Sequence, residues 1–336
     1  MIFCIIIGYI KGKRYIYIHF SFLYCMEGEI ILTEHLSKRF GKIIAIRNLD
    51  IRVMKGITGL IGPNGSGKTT TINILIGLIK PSSGKAYVFS LDSWKESDKI
   101  RRRIGVLHED QFLPGSFTIL RYLQHIARLK RLREVRSEIK WVLSEFQLRD
   151  YMERRIASLS AGLRQRVALA QSVLGRPELV ILDEPTSNLD PIARMSLLES
   201  IRRLNKEESI NFLISSHILP ELEKVCKDVI IMYNGTAVEQ GPYNKLKEKY
   251  FQGVYKIISS NNMLLTKELR ELGIVEKVDA LDDSLLVKVK SGYYNEFINS
   301  LYEIIKSKNL KLLLFEPLHP NLEDIFKEAI KGGNYG

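Results

Sequence analysis

Nine consecutive residues, Gly62-Pro63-Asn64-Gly65-Ser66-Gly67-Lys68-Thr69-Thr70, have the composition of a loop that holds phosphate. Gly62, Gly65 and Gly67 let backbone amides curl around anionic oxygens with no Cβ in the way. The apolar run Ile57-Thr58-Gly59-Leu60-Ile61 precedes the loop, and a helical pattern over residues 68–79 follows it. This strand–loop–helix context is what the phosphate-loop motif requires, and the helix N-terminus adds its partial positive charge. The motif places Lys68 on the β- and γ-phosphates of a nucleotide and the Thr69 hydroxyl on Mg²⁺. A chance glycine turn is the bland alternative, and the flanking elements speak against it.

A second run, Leu179-Val180-Ile181-Leu182-Asp183-Glu184, is an apolar strand ending in two carboxylates. Beside a phosphate loop, Asp183 can hold the Mg²⁺ shell and Glu184 can act as general base for an attacking water. Alone the pair is weak, because buried strands often end in surface acids. A third run, Asn211-Phe212-Leu213-Ile214-Ser215, leads through Ser216 to His217. A lone His in that place is usually just a polar surface residue.

These groups need elements to position them. The three apolar runs suit strands buried on both faces of a sheet. Each opens into a polar turn, and ligand sites in α/β sheets gather at strand carboxyl ends. Residues from about 112 to 172 read as mostly helical, with helices predicted over 119–132, 137–146 and 162–174. The fold class is therefore α/β with an inserted helical lobe. After about residue 250 the pattern becomes strand 254–258, helix 264–272, strand 274–278, strand 285–289, helix 294–306 and strand 310–315. That is the order of a split βαβ, ferredoxin-like α+β unit, closed by a helix over 321–330. Without metal-ligand spacing or a nucleophile constellation, this tail is expected to serve packing, dimer contact or partner docking. Small-molecule sensing is the alternative.

Leu159-Ser160-Ala161-Gly162-Leu163 lies just before the acidic strand, and Ser160 is a good helix N-cap. With it the chain resembles the nucleotide-binding subunits of ABC transporters, whose core is a P-loop NTPase fold. In that family a Leu-Ser-Gly-Gly-Gln stretch at this place contacts the γ-phosphate bound by the opposing subunit. Ser160 and Gly162 match it, while Ala161 and Leu163 depart. The resemblance further implies that Phe40 stacks on adenine, a contact worth about 1–3 kcal/mol if nucleic-acid bases are a guide. It implies that Asp190, in Ser187-Asn188-Leu189-Asp190, communicates across the dimer, and that His217 is the switch histidine touching the γ-phosphate and attacking water. Family spacing puts Glu109, rather than Gln111, where a Gln usually ligates Mg²⁺ and meets the membrane partner. Phe112, Leu113 and Phe117 then line the partner groove or pack the core. The matching residues span about 29–245, and Pro320-Asn321-Leu322-Glu323-Asp324-Ile325-Phe326 is similar, less specifically, to the tail of exporter-type members.

What the resemblance implies is an ATPase binding ATP and Mg²⁺, working as a homodimer or a heterodimer with a related ATPase subunit. A separately encoded transmembrane permease, energised for export at the cytoplasmic face, would be the second partner. A soluble ATPase acting on ribosomes or DNA normally carries two cassettes or a coiled-coil insertion, and neither occurs here, so nucleic acid is not expected. A non-hydrolysing regulatory module is the remaining alternative.

Composition agrees with this frame. With 336 residues, 45% apolar and 26% charged, the chain has room for about two domains with a sizeable core. A formal charge of +12 is compatible with nucleic acid, an anionic membrane surface or an anionic ligand. Arg101-Arg102-Arg103 and Arg154-Arg155 read as solvated surface. Cys4, Cys25 and Cys226 are too few and scattered for a disulfide framework, which fits a reducing, intracellular compartment. Residues 1–25 contain no acid, and their apolar run 2–10 is short of the roughly 20 residues of a membrane span. They read as a doubtful leader, with Met26 the expected start and a membrane-surface anchor the rival. The expected domains are 26–245 for the ATPase and 250–336 for the accessory unit.

Overall fold

A computed structural model describes residues 5–10, 13–18, 28–109, 111–187 and 189–331. The strands Ile5–Ile10 and Lys13–Ile18 pair antiparallel; the rest of the leader, together with Met26, Glu27, Asp110, Asn188 and residues 332–336, lies outside the described residues.

The apolar runs become the centre of a six-stranded sheet. Its order is Thr236–Pro242, Asp228–Tyr233, Ile57–Ile61, Asn211–Ser216, Leu179–Asp183 and Ile104–Leu107. Every neighbouring pair is parallel except the first. Ile57–Ile61 and Leu179–Asp183 are buried at every position, which explains why they read as continuous rather than alternating apolar runs. Successive side chains enter opposite faces. Val180, Leu182, Phe212 and Ile214 join a core shared with the helical lobe. Leu179, Ile181, Leu213 and Ile230 join a second core.

That second core is covered by an antiparallel sheet that the sequence patterning did not separate out. It is built from Glu29–Phe40, Ile43–Leu49, Ser83–Val88 and Leu91–Asp92, with Arg52–Met54 also paired to the first strand. Local hairpins build part of it, but the pairing of Glu29–Phe40 with Ser83–Val88 joins distant segments, as Ile31 with Val88, which local periodicity does not reveal.

The helical lobe contains Ile119–Leu129, Val135–Glu145 and Ala161–Val173. Thr118 caps the first of these by accepting from the Arg121 N–H. The helix after the phosphate loop is Lys68–Leu75, four residues shorter than expected. Gly77 has φ 72°, and its N–H bonds the Ile74 carbonyl while the Leu78 N–H bonds that of Asn73. This left-handed ending satisfies the last carbonyls and stops the helix.

Residues 254–317 form a four-stranded antiparallel sheet in the order Val275–Ala280, Leu285–Val289, Val254–Ser259, Leu312–Pro317. Asn262–Glu271 and Tyr294–Ser307 connect the strands in the split βαβ manner. The last strand begins two residues later than expected. Leu310 instead closes the preceding helix by donating to the Ile305 carbonyl, with Asn309 at φ 51°. The final helix, Leu322–Lys331, buries Leu322 and Ile325 against the ATPase-side core near Leu222 and Leu246. Among the described residues no helix is long and apolar enough to cross a membrane.

Phe212 is the largest fully buried side chain on the central strands. Phe212→Ala is expected to destabilise the protein by about 3–5 kcal/mol. Denaturant unfolding followed by tryptophan fluorescence measures this, and a loss well under 1 kcal/mol would contradict the packing described.

Candidate functional site

Parallel strands in register bring three separate sequence runs to one sheet edge. Asp183 lies opposite Ser215, and Ser216 opposite Ile61, the residue before the phosphate loop. The crevice at the carboxyl edge of such a sheet is the natural ligand site of this architecture.

The loop closes tightly at its start. A Cβ on Gly62 would fall 2.4 Å from the Met232 carbonyl oxygen and 2.6 Å from Ser66 Oγ, so only glycine fits. Ser66 is buried, and its hydroxyl has no hydrogen-bond partner. Pro63, Asn64, Gly65 and Thr69 are exposed, and Thr70 is half-buried. The Ser66 carbonyl accepts from the Gly235 N–H at 3.1 Å, and the Gly235 carbonyl accepts from the Arg47 N–H at 2.8 Å. Through these bonds the loop is anchored to Ile43–Leu49, the hairpin partner of the strand that ends at Phe40. Phe40 is 45% exposed, with the Lys38 ammonium 4.9 Å from its ring centroid.

Lys68 and Glu184 form the centre. Lys68 Nζ lies 3.3 Å from Glu184 Oε1, with both side chains about nineteen-twentieths buried. It also donates to the Gly62 carbonyl at 2.7 Å and to that of Pro63 at 3.3 Å. Buried charges are tolerated only when matched in this way. On its other side Glu184 Oε2 lies 2.8 Å from His217 Nδ1 and accepts from the His217 N–H at 3.4 Å. His217 itself is 46% exposed.

The backbone at Glu184 is strained. Its φ is 48°, a left-handed conformation that costs a non-glycine residue about 1–3 kcal/mol and concentrates at functional sites. Ser215 holds it there. The Ser215 hydroxyl donates to Asp183 Oδ1 and accepts from the Glu184 N–H at 2.9 Å, joining both acids. Asp183 Oδ2 is buried and has no hydrogen-bond partner. Such an orphaned oxygen is costly without a ligand. Sequence reasoning did not assign Ser215 a role. Its signal was a hydroxyl at the buried end of an apolar strand, and only the register reveals what it joins.

Other predicted residues lie apart from this centre. Ser160 caps Ala161–Val173, its Oγ accepting from the Leu163 N–H at 3.3 Å. Ser160 and Ala161 are exposed, Gly162 and Leu163 half-buried. One turn on, Gln165 donates to the Pro185 carbonyl at 2.6 Å, tying this helix to the segment after Glu184. Asp190 caps Pro191–Glu208, accepting from the Ile192 and Ala193 N–H groups at 3.0 and 2.9 Å. Glu109 lines a cleft with Gln111, Phe112, Leu113, Ala161, Gln165 and Ser187. Gln111 donates its side-chain amide to Gln171, which also accepts from Tyr122. Phe112 is largely exposed, while Phe117 packs against the lobe core.

Known proteins resemble this chain along most of its length. Residues 46–187 match the family model described as ABC transporter. The bacitracin transport ATP-binding protein BcrA of Bacillus licheniformis is 33% identical over 310 residues, covering 91% of this chain and 99% of the relative. Nod factor export ATP-binding protein I of Ralstonia nicotianae is 28% identical over 301 residues, covering 88% of this chain and 92% of the relative. A solved ATP-binding subunit of an ABC transporter matches with a TM-score of 0.60 at 27% identity, over 66% of this chain and 93% of that one. The phosphate loop, the paired acids and the similarity over nearly the whole length of a transport ATP-binding protein lead to one conclusion: the chain belongs to the ABC transporter ATP-binding proteins, and is an ATPase subunit of that family.

Proposed function

We propose that this chain drives export as half of a dimer, paired with a second copy or a related ATPase subunit, with two Mg·ATP held between the halves and a separately encoded transmembrane permease as partner. The observation that carries this reading is the Glu184 carboxylate, buried between Lys68 and His217 at the edge where the phosphate loop opens.

In this reading the Gly62–Thr70 loop receives the phosphates, and Lys68 exchanges its loop carbonyls for phosphate oxygens. Phe40 offers an exposed ring face to adenine. Mg²⁺ fits the donors present. It is a hard cation that keeps several waters and takes one or two carboxylates beside phosphate oxygens. Among the described residues no cluster of three or more His, Cys, Asp or Glu would bind it unaided. The Thr69 hydroxyl, the unpartnered Asp183 Oδ2 and Glu109 are the groups that would hold it, where it would neutralise phosphate charge. Glu184 draws a proton from water, and His217 orients that water.

The Ser160–Leu163 turn is the complementary half. It stands at the N-terminus of a thirteen-residue helix, where backbone N–H groups favour an anion. Facing the phosphate loop of the second copy, Ser160, Ala161, Gly162 and Leu163 would complete a shared site, with Asp190 beside it. Export is supported by the Nod factor relative's name, and transport by BcrA's. Residues 26–245 form the ATPase domain and 250–336 an accessory domain, with the cleft lined by Glu109, Phe112 and Leu113 meeting the permease at the cytoplasmic membrane face.

Lys68→Ala is expected to weaken ATP binding about ten- to hundredfold, the loss of a charge-assisted hydrogen bond. Titration with a fluorescent ATP analogue reads this, and binding of wild-type strength would sink the phosphate-loop role. Glu184→Gln is expected to keep ATP binding, slow hydrolysis by about 10²–10⁴-fold and trap an ATP-dependent dimer on size exclusion. Hydrolysis at the wild-type rate would remove Glu184 from the base role.

A further inference from the structure

Arg194 stands between two segments of the proposed site, each of which it holds with a different nitrogen. Its Nε–H donates to the Leu189 carbonyl at 2.7 Å, one residue before Asp190. Its Nη1 donates to Glu221 Oε1 at 3.0 Å, four residues after His217. The Arg194 backbone N–H also bonds the Asp190 carbonyl at 3.0 Å, so the residue is fixed in the first turn of the helix that Asp190 caps. Glu221 sits on the short helix Leu219–Leu222 and is mostly buried, its second oxygen without a hydrogen-bond partner.

Between Glu221 and His217 the chain has little freedom. Pro220 lies in the first turn of the short helix, and the Ile218 N–H is tied to Ser216 Oγ at 2.9 Å. Leu222 is buried in the main core. A shift of Glu221 is therefore carried back to His217, whose ring and N–H both rest on Glu184. An exposed ion pair contributes little. Here the planar guanidinium fork addresses two chain segments at once, which a lysine ammonium cannot reproduce.

We infer that Arg194 and Glu221 are a positioning pair that ties the Asp190 loop to His217 and makes the alignment of His217 on Glu184 depend on that loop. This rests on the proposed roles of Glu184, His217 and Asp190. It supplies what they lack, a physical route by which arrival of a second copy at Asp190 reaches the water-activating groups. Neither residue belongs to the groups proposed to hold the nucleotide, so the pair is expected to affect the rate of hydrolysis and not the affinity for ATP.

The test is a double-mutant cycle on the full-length protein, with Arg194→Lys, Glu221→Gln and the double variant, and His217→Ala as reference. For each, kcat, equilibrium ATP affinity and Tm are measured. Each single variant is expected to lower kcat about tenfold, within the range for residues that act through a neighbour. ATP affinity and Tm should remain near wild type, and the double variant should be no slower than the slower single. Wild-type kcat in all three variants while His217→Ala is inactive would overturn the pair and leave the site reading intact. Additive losses accompanied by lowered Tm would also overturn it, reducing the contact to ordinary packing. Wild-type hydrolysis by His217→Ala would remove the site reading itself, and the inference with it.

Discussion

The site depends on one constrained carboxylate. Glu184 is held in a left-handed backbone conformation with its side chain buried between an ammonium and an imidazole. Each feature requires the others. Without Lys68 the buried charge would lack its counter-ion. Without the Ser215 hydroxyl the strained N–H would lose its acceptor. The apolar strands are what keep these groups dry enough for their mutual attraction to matter.

The sheet explains how residues so far apart in sequence come to share one edge. Parallel pairing in register aligns Ile61, Ser216 and Asp183 at neighbouring strand ends, and the continuous burial of the central strands fixes that register. Helices then carry the geometry outward. The Ser160-capped helix is tied back through Gln165 to Pro185, and the Asp190-capped helix through Arg194 to Glu221. The final helix, Leu322–Lys331, reaches the same region. Its first N–H meets the Glu223 carboxylate, and its apolar face shares a core with Leu222. The segment after His217 is thus packed from two sides.

Much of this was legible in the chain because it is local. Glycine spacing reports a backbone that must approach an anion, and an apolar run ending in Asp183-Glu184 reports a buried strand with acids at its tip. The helix–strand order of residues 254–317 followed from periodicity alone. What was hidden depends on pairing across long stretches. The antiparallel sheet joins Ile31 to Val88. Ser215 reads only as the last residue of an apolar strand until register sets it between two acids, and Arg194 and Glu221 are twenty-seven positions apart. Helix ends were missed where a left-handed residue stopped the helix early, as at Gly77, although the glycine itself was in plain view.

In the proposed dimer the phosphate loop is half of a site whose other half is Ser160–Leu163 of a second copy. Cross-linking tests it directly, using one preparation carrying Asn64→Cys and another carrying Ala161→Cys. Both positions are exposed, and a short bifunctional thiol reagent can bridge them. With a non-hydrolysable ATP analogue and Mg²⁺, the mixture should give a cross-linked dimer that neither preparation gives alone and that disappears without nucleotide. Failure of the mixture to cross-link under nucleotide, with both thiols shown to be reactive, would contradict the shared site.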